Sequence, residues 1–167
     1  MIAAIERIYR AMLLAFGRGR VTVVDDSGPV QKMQVRLGPL ELIDGVPAPH
    51  DYGFTSNPPI GSDVLVNFIG ANRTNGVVVA IGSQAYRLKN LLSGEVAIYD
   101  NLGQSVHLSA KGIVIMSAGL PITINGDIKL NGSIDATGDV VAGGVSLMHH
   151  KHGGVRTGSD QSGEPMA

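Results

Sequence analysis

Three of the five histidines in this 167-residue chain fall within four positions, His149, His150 and His152, with Lys151 between them. A neutral imidazole is a good ligand for iron, zinc, nickel or copper. If the chain is extended there, alternate residues share a face, so His150 and His152 point the same way. Two imidazoles from one chain make a poor site. Three copies of the chain around one axis would supply six nitrogens, enough to close an octahedral shell, which suits a six-coordinate ion such as iron better than tetrahedral zinc. A closed shell leaves no open position, so such a metal is structural and not catalytic. Lys151 and the continuation Val155-Arg156-Thr157-Gly158 argue against a purification tag.

Little else in the chain points to chemistry. With no Cys there are no disulfides, thiolate nucleophiles or Cys-based metal sites. Gly-x-Ser-x-Gly, Walker, Gly-x-Gly-x-x-Gly and His-Glu-x-x-His signatures are missing. Asp26-Ser27-Gly28-Pro29 resembles a serine-protease nucleophile run, yet it lacks the preceding Gly and reads as a hairpin turn. His50-Asp51 and His107 have no evident partner in sequence and read as surface or interface residues. The expectation is a protein that is not an enzyme and takes no small-molecule substrate.

The element that must position the histidines is a repeat. Residues 122–145 align in sixes as Ile-Thr-Ile-Asn-Gly-Asp, Ile-Lys-Leu-Asn-Gly-Ser, Ile-Asp-Ala-Thr-Gly-Asp and Val-Val-Ala-Gly-Gly-Val. Gly126, Gly132, Gly138 and Gly144 recur without exception, and positions one and three of each hexad are apolar. On a strand those two positions share a face. A period of six belongs to β-helices, and a single-chain coil needs about 18 residues per turn, so this stretch makes little more than one turn. One chain cannot bury its own apolar face. Three chains around a common axis can, and the periodicity therefore predicts a homotrimeric prism. Position three shrinks from Ile124 and Leu130 to Ala136 and Ala142, which predicts a taper towards the C-terminus.

Upstream the periods differ. Ile2, Ile5, Tyr9, Met12, Leu13 and Phe16 mark an amphipathic helix ended by Gly17 and Gly19, docked on its own domain or on a partner. Between residues 19 and 86 the period falls to two in Arg20–Val23, Met33–Leu37, Asp63–Phe68 and Gly76–Ile81, separated by Gly/Pro/Asn turn clusters. Short strands at this density suggest a closed five-stranded barrel of the OB type. The organisation expected is an N-terminal arm (1–18), an OB-fold collar (19–86), a neck (87–100), a trimeric shaft (101–148) and an apex (149–167), all-β apart from the arm. Lys+Arg 13 against Asp+Glu 14 gives a net charge of −1, and the four aromatics of the barrel form no stacking array, so nucleic acid is not an expected partner. No apolar run is long enough to span a bilayer.

Taken together, barrel, Gly-hexad shaft and terminal His-x-His resemble the central spikes of contractile tails, the baseplate assembly protein V and Mu-like membrane-piercing spike family. The resemblance is carried by Asn57-Pro58-Pro59-Ile60-Gly61-Ser62-Asp63-Val64, Gly94-Glu95-Val96-Ala97-Ile98-Tyr99-Asp100, Gly112-Ile113-Val114-Ile115, the run from Ala136 to Leu147, and His150-Lys151-His152-Gly153-Gly154-Val155. It implies a homotrimer with an OB collar docked to baseplate hub and tail tube proteins, and a triple-stranded β-helix. At its apex His150 and His152 of three chains would hold one iron. It also allows calcium or chloride inside the shaft, with no residues assigned. The implied place is the virion, at the tail baseplate tip, after synthesis in the host cytoplasm. The implied act is mechanical: contraction drives the tip through the host outer membrane. The rival is a trimeric β-helical tail fibre or adhesin that binds a surface glycan, and the absence of aromatics in residues 101–145 weighs against it. Residues 153–167, rich in Gly, are expected to fold back over the tip.

Overall fold

The computed structural model describes residues 2–154 and Gly158. The expected fold-back of 153–167 therefore lies almost wholly outside the described residues. The chain divides into two units, one running to Ile122 and one beginning at Thr123.

The first unit opens with helix α1, Ile2–Leu14, which stops two residues short of Phe16 because Phe16 and Gly17 already belong to strand β1, Phe16–Asp25. Four more strands complete a curled antiparallel sheet: β2 Gln31–Gly38, β3 Glu41–Ala48, β4 Asp63–Phe68 and β5 Gly76–Gly82, in the order β3-β2-β1-β4-β5. The two edge strands, β3 and β5, come into contact as the sheet curls. Within residues 19–86 every apolar run expected to be a strand is one. The sequence periods pass over β3, whose run is interrupted by Gly45 and Pro47, and which forms by pairing with β2, Val35 opposite Ile43 and Met33 opposite Val46.

Alternation places Val21, Met33, Val35, Val46, Val64, Val66, Phe68 and Val78 inside, all 3 % exposed or less. This is a core of β-branched residues around one aromatic ring, which suits a small strongly curved sheet. Two glycines are set by close approach. A Cβ on Gly19 would lie 2.4 Å from the Arg36 carbonyl oxygen, and one on Gly76 would lie 2.9 Å from the Phe68 ring. The seam between β3 and the β4–β5 connection is clipped by Arg73, whose guanidinium sits 4.0 Å over the Phe68 ring and donates from Nε to Glu41 Oε1 at 2.8 Å. After β5 the chain runs to a three-stranded meander, β6 Val96–Tyr99, β7 Ser105–Ser109 and β8 Gly112–Met116. Both faces of β8 are exposed.

The second unit contrasts with the first. The hexads were expected to be strands, but residues 123–140 carry no ladder, and the only pairing among the described residues there is a short hairpin of β9 Val141–Ala142 and β10 Val145–Ser146. Its turn residues Gly143 and Gly144 both have positive φ, 57° and 84°, the requirement of a tight two-residue turn. Among the described residues, 123–140 have no partner strand within this chain. The apolar positions are accordingly bare, with Ile128 69 % and Ile134 77 % exposed.

Candidate metal site and apex

The histidines sit directly beyond that hairpin. Leu147 N donates to Val140 O at 2.8 Å, and Met148 N donates to the Asp139 carboxylate at 3.0 Å, so the chain is held across the hairpin mouth. The Ser146 side-chain hydrogen bond, and after it the Met148 N–H, keep the Asp139 carboxyl below its ordinary range. The strand expected to continue through the histidines ends at Ser146 instead, and Leu147–His149 form a turn. His149 is fixed there by its N–H to Ser146 Oγ at 2.8 Å.

His150 and His152 nevertheless come together, not by strand alternation but past the turn, with ring centroids 5.1 Å apart and planes at 80°. Nδ1 of His150 lies 2.9 Å from the Ser146 carbonyl and 3.1 Å from that of Leu147. Two carbonyl oxygens can only accept, so Nδ1 is the donor here, and the neutral ring then has its lone pair on Nε2. A backbone carbonyl behind the ring is the common arrangement that orients a ligating imidazole. Within one chain the donors stop at two, and among the described residues no cluster of three or more His, Cys, Asp or Glu could hold a metal ion.

The other residues weighed for chemistry find structural partners. Ser27 donates from both N and Oγ to Asp25 Oδ1, at 3.1 and 2.6 Å, closing the β1–β2 hairpin and lowering the Asp25 carboxyl's pKa. Its hydroxyl is a turn element and not a nucleophile. His50 Nε2 donates to the buried Gln31 at 3.3 Å, and Gln31 in turn donates to Asp26 and to Ser56 O. His107, isolated in sequence, donates to Glu95 at 3.3 Å, because β6 and β7 pair with Ala97 opposite His107. Glu95 also accepts from Leu92 N and Ala110 N, and these two backbone donors are the main reason its carboxyl stays charged below the usual range. Sequence spacing carries no signal for that pair, since strand register creates it. An apolar groove of about 330 Å³ on the meander is lined by Ile98, Val106, Ile115, Met116 and Leu120.

Residues 18–85 match the family described as Bacteriophage Mu Gp45, N-terminal, and residues 144–165 match the GpV apex motif. Together these matches support a Mu-like baseplate spike. The baseplate puncturing device gp45 of Escherichia phage Mu is 28% identical over 177 residues, covering 91% of this chain and 90% of the relative. The Mu-like prophage FluMu protein gp45 of Haemophilus influenzae is 31% identical over 118 residues, covering 68% of this chain and 64% of its own length. In this chain the stretch that matches the apex motif contains both the Gly143-Gly144 turn's second glycine and the pair His150 and His152.

Proposed function

We propose that this protein is the central spike of a contractile tail baseplate, a structural component of the virion that punctures the host outer membrane when the tail contracts. The observation that carries the reading is the similarity over nine-tenths of the chain to a relative named a baseplate puncturing device, ending on an apex motif. The working form is a homotrimer. Its collar is an OB barrel, a reading supported by the order β3-β2-β1-β4-β5 and the contact of β3 with β5. Its shaft is a triple-stranded β-helix, supported by the hexads' exposed isoleucines and the open groove on the meander, apolar surfaces that one chain leaves wet.

The two imidazoles per chain fit a shared metal. His150 offers Nε2 with its proton parked on the opposite nitrogen, and His152 lies beside it, so three chains would supply six donors to one iron. When bound, the ion supplies cross-linking and no reaction: it ties three chain ends at one register and makes a compact point. The chain's own residues do the rest. Asp139 and Ser146 brace the turn that carries the histidines, and the hub and tube proteins of the baseplate hold the collar. The role is mechanical, without catalysis.

A native mass spectrum of the untagged protein tests both levels. A trimer with one iron mass is expected. A trimer without metal would remove the iron apex and keep the spike; a monomer would overturn the trimeric spike.

A further inference from the structure

No residue of α1 is buried, although Ile2, Ile5, Tyr9 and Met12 form one stripe and are each 60–75 % exposed. An isolated helix of 13 residues is marginal in water, so this stripe needs a cover. The spacing says what kind. Ile2, Ile5, Tyr9 and Met12 follow one another at three, four and three residues, the a and d positions of two heptads. Ile8 and Leu13 flank the seam at g and e, and Arg7 and Arg10 lie on the far side at f and b.

We propose that the cover is two further copies of α1, so that the three N-terminal helices of the trimer close into a short parallel bundle. This rests on the trimeric reading above. Isoleucine at a and d of the first heptad, Ile2 and Ile5, favours three or four chains over two, and Ile8 at g with Leu13 at e of the second widens the stripe beyond a two-chain seam, while Glu6 keeps the first e position charged. The hexads, at the other end of the sequence, ask independently for three. The tether is short. A single residue, Ala15, joins α1 to β1, and its carbonyl accepts from Phe68 N at 2.7 Å, anchoring the helix end to β4. Three collars on one axis would hold their helices at high local concentration, which offsets the small bundle's low intrinsic stability.

Because the chain has no cysteine, one introduced thiol is unique. Ile5→Cys and Met12→Cys place it at d positions, where facing Cβ atoms come within disulfide reach; Arg7→Cys places it outward. Each full-length variant is oxidised with copper–phenanthroline, run on a non-reducing denaturing gel, and weighed by native mass spectrometry. Covalent dimer is expected from Ile5→Cys and Met12→Cys, reversed by dithiothreitol, and monomer bands only from Arg7→Cys. A native trimer in which neither d-position thiol cross-links more than Arg7→Cys would overturn the bundle while leaving the spike intact. A native monomer would overturn the trimeric reading, and the bundle with it.

Discussion

The curled sheet of residues 16–82 and the hexads of residues 122–145 are built from the same kinds of residue, and only one of them satisfies itself. In the sheet, Val21, Val35, Val64 and Val66 are sealed to within 2 % by strands of the same chain. In the hexads, Ile122, Ile124, Ile128 and Ile134 all stand more than half exposed, and among the described residues 123–140 belong to no strand. Apolar content is thus not what separates a domain from an assembly element. What separates them is whether one chain can bring a second apolar face within reach. The sheet does so with short connections that fold β2 onto β1 and β3 onto β2, and with a longer one that carries the chain from β3 across to β4 on the other side of β1. The hexads before Val141 form no strand pairing among the described residues, and the proposed trimer is what would supply their second face.

The largest expected effect follows from that difference. Ile128→Asp should abolish the proposed trimer, because threefold symmetry would remove three isoleucines buried by assembly, at about 1.5–3 kcal/mol each, and would leave three carboxylates facing one another. Leu42→Asp, at a position of the sheet that is also exposed, should leave the assembly unchanged. Sedimentation at micromolar protein distinguishes them; equal behaviour of the two would break the comparison.

Next in size is the sheet's own core. Phe68 is 1 % exposed and carries the contacts of Gly17, Gly76 and Arg73. Phe68→Ala should cost about 3–5 kcal/mol, read as a lowered midpoint in urea. The sheet's signal should move while the proposed trimer, if still folded, keeps its mass. Below that comes Gly19→Ala. The new Cβ meets a backbone oxygen at 2.4 Å and not a flexible side chain, so β1 and β2 must part, at about 1–3 kcal/mol. Gly38→Ala, with open space around it, is the control and should move the midpoint by no more than a few tenths of a kcal/mol.

These regions were also unequally legible. The hexads could be read because a glycine every six residues is a property of the sequence itself, independent of any partner. The turn at Asp25–Pro29 could be read because its side chain to backbone bonds are local. Strand β3 could not, because Gly45 and Pro47 hide its alternation and only pairing with β2 makes it a strand. The direction of the histidines could not either: alternation was the right rule for β10 but the wrong one beyond Ser146, where the Gly143-Gly144 turn and the Asp139 carboxylate redirect the chain. The pair Glu95 and His107 lies twelve residues apart and is made by the register of β6 and β7, which no local pattern encodes.

That pair gives the smallest effect and the finest test of self-sufficiency. The Glu95 side chain is only 9 % exposed, and its carboxylate accepts from Leu92 N, Ala110 N and His107, all within one chain. The folded state holds Glu95 ionised below its ordinary pKa, with the two backbone donors as the main cause. A depressed carboxylate pKa contributes stability that is complete above the unfolded value and is lost as pH falls through the folded one. Glu95→Gln removes the charge and should lower the melting temperature slightly at neutral pH. The gap to the parent should then narrow as pH falls from the usual glutamate range downward. A gap that stays constant into acid would mean that the charge is not what holds this loop. A gap that appears only in the trimer would move Glu95 from the self-sufficient part of the chain to the part that needs its neighbours.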